Sequence, residues 1–539
     1  MNPATTLEPP APRVGRPALS TRRRTSGKTA ILPVGVAAAG VAAAGAEDPL
    51  VGAGLAGMAI LAFLPWPVLF SAFVASSVGN AWGVDVAGAT FRAAQAVCVP
   101  FAIRALLFTD RRSRPRLGKP EAFLACFIVA NVISTYFFAP VEHSWLAIGI
   151  LGFGATTYLA VYTSVCTPAR LRFAARVFLL LGALSAAVGI LCFAGHYAGT
   201  SFGIDFRYTP VVSGAPAVKG IAWEHDIFGS TCAAVAIAFY VLMRDHSRLF
   251  SPKWTFRFFW ISTVGMVLSQ ARGAWLAFVV VIVAYSLLGS RRHRRRAPAK
   301  MLRLAAVLVF AGLLGIGGLV LTEQSGSVSA PSPIAGVFIS AGSKITNAFN
   351  FTGTASCGEC NTTAARLRRL NKGFSEVMST SPIIGLGTDS YGERNFRPSP
   401  YTFPYLAPGY IEVLYGRTIY DTGIVGIILL LAFIGTLMWP RRDILRGTGE
   451  IHRTARAILF AAISIAIAYG ITDATFFMWP WILFGLTRAA VRLAREHERG
   501  AVPADGLASA NGHGSGNGRA NGMGRPVHGM ARMRPAAGR

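Results

Sequence analysis

Arg272 is the residue whose type and position indicate chemistry most directly. It stands in the stretch LSQARGAWLAFVVVIVAYSLL, at the tip of a tight hairpin between two apolar segments. A charged arginine at the centre of a bilayer costs roughly 2.5–3.5 kcal/mol on insertion scales, so Arg272 is expected at an interface or beside a polar cavity. A guanidinium stays charged and binds phosphate through two parallel hydrogen bonds. Arg272 therefore either holds a pyrophosphate carried on a lipid or anchors the hairpin among headgroups.

The run ARLRRLNKGFSEVMSTSP, at residues 365–382, predicts a basic amphipathic helix. Its apolar residues share one face at helical spacing: Leu367, Leu370, Phe374, Val377 and Met378. Arg366, Arg369 and Lys372 lie off that face, and Pro382 ends the segment. Such a helix lies on a bilayer surface, where its basic face binds either an anionic substrate or lipid headgroups.

A connection between two predicted spans, residues 196–221, contains the cations Arg207 and Lys219, which are candidates for binding an anionic substrate. The next helix begins with the motif WEHD at 223–226. This cluster of Glu, His and Asp resembles an acid/base set, with His225 as a candidate base. A polar helix entry, with acidic side chains near the positive end of the helix dipole, explains the same residues equally simply.

Two cysteines in polar surroundings, Cys357 and Cys360, stand apart from the other five, which lie in or beside apolar segments. If their segment faces an oxidising compartment, they form a local disulfide; the alternative is half of a zinc site. Residues 322–417 contain no second cysteine pair and no histidine, which disfavours zinc. The sequence also lacks a convincing Walker loop, dinucleotide fingerprint or serine elbow. We therefore expect no cofactor and no metal, and a substrate that arrives already activated.

Composition indicates an integral membrane protein. Of the 539 residues, 53% are hydrophobic and only 14% are charged, against about 25% charged in soluble domains, and the mean hydropathy is +0.48. The net charge of +28 does not indicate nucleic-acid binding. The basic residues fall in short clusters between apolar runs, which is the pattern that keeps Lys and Arg in the cytoplasm. These clusters lie at 111–119, 291–296, 441–446 and 453–456.

The hydropathy pattern predicts an all-α polytopic protein with about 12–14 transmembrane helices. The candidate spans are at about 30–46, 50–64, 66–79, 83–108, 121–139, 144–165, 172–195, 222–243, 256–270, 273–289, 301–321, 418–438, 456–472 and 475–492. The predicted organisation is a disordered cytoplasmic tail at 1–29, transmembrane helices at 30–321, one large extracytoplasmic loop at 322–417, further helices at 418–494 and a disordered tail at 495–539. The protein is expected in the plasma membrane, with both termini in the cytoplasm.

Three stretches in this order resemble the O-antigen ligase and O-antigen polymerase superfamily. The first is the hairpin with Ser269 and Arg272-Gly273. The second is Arg366 followed by SPIIGLG at 381–387, which is similar to the basic residue and "PxxGxG" stretch of the family's large outer loop. The third is GYIEVL at 409–414 with GIVG at 423–426, which resembles the family's exit from that loop into the next helix.

The resemblance implies a GT-C-like membrane glycosyltransferase. It would take a glycan from a polyprenyl-pyrophosphate carrier and pass it to a glycan or lipid acceptor on the outer side, without a metal. Arg272 and Arg366 match the family's functional arginines. O-antigen ligases resemble one another in having a histidine near the end of the loop. Here Tyr410 and Glu412 occupy that neighbourhood, which favours a polymerase-like transferase. Glu412 is then the first candidate for the base, and His225 is the second.

Two interpretations from other classes compete with this one. A transporter or flippase of lipid-linked saccharides predicts inverted repeats and helices interrupted in mid-membrane. A structural partner in an envelope assembly complex would use the loop as a docking surface.

Overall fold

The computed structural model describes part of the chain. The described residues are 57, 61–79, 83–86, 89–109, 114–139, 142–205, 216–288, 363–395, 411, 413–439, 442–470 and 477–500. The predicted spans at 30–46 and 301–321 and most of the span at 50–64 lie outside these residues. The candidate residues that lie outside them are Arg207, Cys357, Cys360, Tyr410 and Glu412.

Helices dominate the described residues. In chain order, the elements as far as the second β-hairpin are α1 (Trp66–Val78), β1 (Gly83–Val86), β2 (Ala89–Arg92), α2 (Ala93–Leu107), α3 (Lys119–Phe138), α4 (Glu142–Ser164), α5 (Pro168–Tyr197), β3 (Ile204–Asp205) and β4 (Ala217–Val218). The elements that follow are α6 (His225–Arg244), α7 (Pro252–Leu268), α8 (Arg272–Leu288), α9 (Thr363–Thr380), α10 (Tyr391–Asn395), α11 (Leu414–Met438), α12 (Arg442–Arg446), α13 (Glu450–Tyr469) and α14 (Met478–Glu498).

The predicted fold class, an all-α polytopic membrane protein, is confirmed. Among the described residues, six helices are long and apolar enough to cross a membrane: Lys119–Phe138, Ser144–Ser164, Pro168–Tyr197, His225–Arg244, Leu414–Met438 and Glu450–Tyr469. The shorter apolar helices α1, α2 and α8 also coincide with predicted spans. The total number of spans stays a prediction, because some candidate spans lie outside the described residues.

The prediction that 83–108 is helical throughout is wrong. Residues 83–92 form an antiparallel β-hairpin in which Gly83 pairs with Arg92 and Val86 pairs with Ala89, and α2 begins only at Ala93. The sequence GVDVAGATFR carries β-branched and aromatic residues on both sides of an Ala-Gly connection, which is a hairpin pattern. High mean hydropathy concealed that pattern.

Helix α6 is the centre of the helical packing and contacts α5, α7, α8 and α13. Its sequence HDIFGSTCAAVAIAFYVLMR is rich in Gly, Ala and Ser, which let neighbouring backbones approach closely. At Gly229 an added Cβ would lie 2.3 Å from Ser269 Oγ, and at Gly182 of α5 it would lie 2.5 Å from Val235 Cγ2. The neighbours are therefore fixed against α6 with little room to shift.

Helix α11 is broken at Gly423, whose φ of 64° and ψ of −159° are not helical. Backbone groups on both sides of the break bond instead to the segment that follows α9. Leu386 N donates to Tyr420 O (2.9 Å), and Ile424 N donates to Pro382 O (2.9 Å). An unsatisfied backbone group in a membrane costs several kcal/mol. The SPIIGLG stretch thus substitutes for the missing turn of the helix.

Helix α3 fixes the other side of this stretch with buried hydroxyl and amide side chains. Ser134 Oγ donates to Asp421 O (2.5 Å) and accepts from Gly387 N (3.0 Å), while Thr388 Oγ1 donates to Asn131 Oδ1 (2.9 Å). The stretch is therefore clamped between α3 and α11, and α9, which ends directly before it, has a defined position.

Contacts group the helix ends into two sets. Asp205, the start of α6 and Arg366 lie together, and all three belong to segments predicted to face outwards. At the other end, Asp245 contacts Arg456, and these belong to segments predicted to face the cytoplasm.

Substituting Gly423 by Ala tests the break in α11. An added Cβ would lie 2.4 Å from Ile383 O at a positive φ that only glycine adopts easily, so we expect a loss of about 1–3 kcal/mol and a lower apparent Tm in detergent. Gly435→Ala is the matched control in the same helix, because nothing lies within 4 Å of its added Cβ and alanine favours a helix by about 0.5–1 kcal/mol. Equal Tm values for the two variants would contradict the described break.

Candidate functional site

The imidazole of His225 lies between two carboxylates. His225 is the first residue of α6 and is 5% exposed. Its Nδ1 is 3.4 Å from Asp205 Oδ2, and its Nε2 is 3.4 Å from Asp226 Oδ1. Asp205 reaches this position from the short β3–β4 hairpin, which precedes α6. A carboxylate beside each ring nitrogen fixes the orientation of the imidazole, as in sites where a histidine acts as a base.

Arg366 joins the same cluster from a distant part of the chain. Its Nη2 is 3.5 Å from Asp226 Oδ2, and the two side chains are 15% and 13% exposed. We call Asp205, His225, Asp226 and Arg366 the α6 polar cluster. The sequence suggested each of its two halves separately, the WEHD motif and the basic helix. It gave no sign that they meet, since their contact bridges 140 residues (226 to 366).

Arg272 lies at the same end of α6. It begins α8, directly after a turn in which Gln270 has a φ of 57° and donates from Nε2 to Pro216 O (3.3 Å). The turn packs on the first turns of α6, because a Cβ added at Gly229 would lie 2.6 Å from Ala271 Cβ. Gly229 is three residues after Asp226. The structure therefore brings the two arginines predicted to be functional, Arg272 and Arg366, to one end of one helix.

Charge at this end is mixed, because Arg272 and Arg366 stand against the carboxylates of Asp205 and Asp226. Asp226 stands in the first turn of α6, where the helix dipole stabilises a negative charge. Arg272 is a cation at the N-terminus of α8, a position that the dipole of its own helix disfavours. Guanidinium groups and helix N-termini are both features that bind phosphate in proteins.

A second buried network, which the sequence reasoning missed, holds the SPIIGLG stretch. Arg417 Nη2 is 3.0 Å from Asp389 Oδ1, and Arg417 Nε is 3.3 Å from Asp421 Oδ2. Asp389 has a φ of 58°, and its backbone N donates to Asp421 Oδ1 (3.2 Å). The spacing of Arg417 and Asp421, four residues apart on one helix face, was the available signal.

The predicted apolar face of α9 has a buried part and an exposed part. Val377 is fully buried, and Leu370 packs against the same small core, but Phe374 is 50% exposed. Gly373 stands where the helix meets α11, with Tyr420 Cδ2 3.2 Å from its added Cβ. Periodicity identifies an apolar face but does not show which of its residues pack against the protein and which stay exposed.

The other predicted substrate-binding residues that the structure describes are Lys219, Arg369 and Lys372, and they differ in burial. Lys219 lies between β4 and α6 and is half-buried, and its backbone N donates to Gly203 O (2.9 Å). Arg369 is three residues past Arg366 on α9 and lies within electrostatic range of Tyr391. Lys372 is exposed. Within the described ranges, no set of three or more His, Cys, Asp or Glu side chains is placed to hold a metal ion.

Comparison with known proteins identifies one family. Residues 258–431 match the family model described as O-antigen ligase. The matched segment runs from α7 into α11 and includes Arg272, Arg366 and SPIIGLG, whereas His225 and Asp226 precede it. The predicted resemblance to the O-antigen ligase superfamily is confirmed, and the match supports a membrane glycan ligase or polymerase. A comparison with curated proteins finds no match.

A double-mutant cycle tests the contact that assembles the cluster. We expect Asp226→Asn and Arg366→Gln each to lower the apparent Tm, and their combination to cost less than the sum, because the second change finds no partner left to lose. The coupling should be about 0.5–3 kcal/mol for a half-buried pair.

The control is Arg368→Gln, which removes an exposed arginine from the same helix. Its effect should add to that of Asp226→Asn without coupling. Additive behaviour of Arg366→Gln as well would show that the pair does not form.

Proposed function

We propose that this chain is a membrane glycosyltransferase that moves a glycan from a polyprenyl-pyrophosphate carrier to an acceptor hydroxyl on the outer face of the plasma membrane. The glycan would enter a cell-surface polysaccharide. The observation that carries the proposal is the α6 polar cluster, which joins Arg366 to a carboxylate-flanked His225 beside the hairpin with Arg272. The family match at 258–431 supports the reaction class.

Arg272 and Arg366 would bind the pyrophosphate. During transfer the bond between the anomeric carbon and the pyrophosphate oxygen breaks, and its electron pair leaves with the pyrophosphate. Two guanidinium groups fixed before the reaction stabilise that developing charge without reorganisation. Because Arg366 contacts Asp226 in the free protein, its guanidinium already has an anionic partner, and the pyrophosphate would replace the carboxylate in that position.

The attacking hydroxyl must lose a proton as its oxygen bonds to the anomeric carbon. Two residues are candidates for the base, His225 and Glu412. His225 has the geometry that suits this role, since Asp205 and Asp226 would stabilise the imidazolium that forms. Glu412 precedes α11 and lies outside the described residues.

The carrier lipid would reach the site along the membrane surface. Phe374 of α9 is 50% exposed, and Ile383, in the stretch that fills the α11 break, is 63% exposed. Exposed apolar side chains beside the basic residues Arg369 and Lys372 suit a helix at the boundary between acyl chains and headgroups. Such a surface would hold a polyprenyl chain on its apolar side and a phosphate on its basic side.

Transport of a lipid-linked saccharide is the second candidate function. The break in α11 at Gly423 favours it, because transporters bind substrates at interrupted membrane helices. Here the SPIIGLG stretch fills the break with hydrogen bonds, which leaves no backbone groups at those positions for a substrate. Glycan transfer is therefore the better-supported function.

A reconstituted assay distinguishes the two functions. Purified protein in proteoliposomes with a polyprenyl-pyrophosphate glycan and an acceptor should release polyprenyl pyrophosphate. We expect Arg272→Ala and Arg366→Ala each to lower kcat about 100-fold, as does the loss of one preorganised donor elsewhere. Arg368→Ala, an exposed neighbour on α9, should stay within about twofold of wild type. Glycan movement without any release would establish transport instead.

The identity of the base is tested in the same assay. We expect His225→Gln to lower transfer by about 100-fold or more, since a positioned base contributes roughly 10²–10⁴, and to remove the limb of the pH–rate profile that reports the base. Glu412→Gln should leave both the rate and that limb unchanged. The reverse result would assign the role to Glu412 and leave His225 as a structural helix start.

A further inference from the structure

An arginine-rich cavity lies at the opposite end of α6 from the polar cluster, where Asp245 contacts Arg456. A cavity of about 190 Å³ opens between the C-terminal ends of α6 and α8, the short α12 and the start of α13. Its lining includes four arginines, Arg244, Arg446, Arg453 and Arg456, together with Asp245 and Tyr285. Nothing in the proposed transfer reaction uses these residues.

The floor of the cavity consists of side chains that are bonded to the protein itself. Arg456 Nε is 2.6 Å from Asp245 Oδ2, and Arg456 Nη1 donates to Ile444 O (2.8 Å) and Gly447 O (2.6 Å). Tyr285 Oη donates to the other carboxylate oxygen, Asp245 Oδ1 (2.7 Å). The one carboxylate in the lining is therefore already neutralised and would not repel an anion.

The walls carry cations that this network does not use. Arg244 is half-buried and Arg446 is exposed at the mouth. Over the ranges that the structure describes, no carboxylate lies at ion-pair distance from either of them. Arg453 donates from Nη1 to His246 O (2.9 Å) and is 3.6 Å from Glu450, which lies outside the lining. Even counting Glu450 with Asp245 against the four arginines, the formal charge is +2.

The rim is fixed before any ligand arrives. His246 has a φ of 53° at the end of α6, and Ser247 N donates to Leu242 O (2.9 Å). Ser247 Oγ also bonds Glu450, and Arg248 N donates to the same carboxylate (3.0 Å). A preformed cavity loses little conformational entropy when it binds a ligand.

The cavity lies near the predicted cytoplasmic boundary of the membrane. Trp254, in the first turn of α7, is 49% exposed, and Trp439, at the end of α11, is 72% exposed. Exposed tryptophans are enriched at the level of the headgroups. The connections that contain Asp245 and Arg446 lie next to these two residues in sequence. Arg244 and Arg446, which have no carboxylate at ion-pair distance among the described residues, therefore lie near the predicted region where phosphates of the inner leaflet and of the cytoplasm are both available.

We propose that this cavity binds a phosphate group at the cytoplasmic end of the protein. Arg244 and Arg446, with the remaining donors of Arg453, would hold its oxygens by charge-assisted hydrogen bonds. The phosphate belongs either to the headgroup of an anionic lipid or to a soluble phosphate ester. The site is separate from the outer α6 polar cluster, so its existence does not depend on the proposed transfer reaction.

The test measures the apparent Tm and the binding affinity of the full-length protein in a zwitterionic detergent. The probes are inorganic phosphate and short-chain phosphatidylglycerol, with phosphatidylcholine as the neutral lipid. We expect a rise in Tm with at least one phosphate probe and none with phosphatidylcholine. Arg244→Gln with Arg446→Gln should weaken that binding roughly tenfold or more, because a hydrogen bond to a charged group is lost with each.

The matched control is Lys253→Gln with Arg257→Gln, which removes two exposed positive charges from the start of α7. It should bind like wild type, and all variants should share the same Tm without ligand. Selective loss for the lipid alone would identify a headgroup, and loss for inorganic phosphate as well would identify a site for the phosphate itself. Equal weakening by both double variants, or no stabilisation of wild type by either probe, would overturn the proposal.

Discussion

The requirement that backbone groups inside a membrane find partners governs this structure. Gly423 breaks α11 within its apolar length, and the groups thus freed bond to SPIIGLG, which α3 clamps from the other side. Lipid offers no water to satisfy such groups, so the stretch and the break are stable only together. Because α9 ends directly before SPIIGLG, this constraint also fixes the helix that carries Arg366. The bonded break in α11 thus positions a side chain that the proposed reaction requires.

Helix α6 is the second element on which the arrangement of the helices depends. Its 20 residues span roughly 30 Å at 1.5 Å per residue, and its small side chains keep α7, α8 and α13 in direct contact. The α6 polar cluster lies at its first turn and the arginine cavity at its last. The two sites share one rigid element but no residue, which allows either to be altered without dismantling the other. In the outer cluster Arg366 pairs with Asp226, whereas the lining of the inner cavity carries an excess of positive charge.

The sequence predicted what local patterns determine. Hydropathy located most of the described spans, and helical spacing located α9 with Arg366 off its apolar face. It failed where a pattern had two explanations or where a contact was distant. Residues 83–92 are apolar enough for a span but alternate like a hairpin. Phe374 fits the apolar stripe, yet Gly373 makes the close contact with α11. The pairing of Arg366 with Asp226 depends on how α9 docks, which no local spacing encodes.

Asp226 connects the two halves of the proposed chemistry. One carboxylate oxygen faces Arg366 and the other faces His225, so a change at one partner is felt by the other. If a pyrophosphate draws Arg366 away, the carboxylate keeps the imidazole as its remaining partner in the cluster and stabilises the charge that arises when the imidazole accepts a proton. Binding of the donor would then leave Asp226 to the imidazole of His225 alone, whereas in the empty site Asp226 contacts both Arg366 and His225. This coupling between donor binding and the base depends on a single aspartate at the start of α6, where the helix dipole already favours its negative charge.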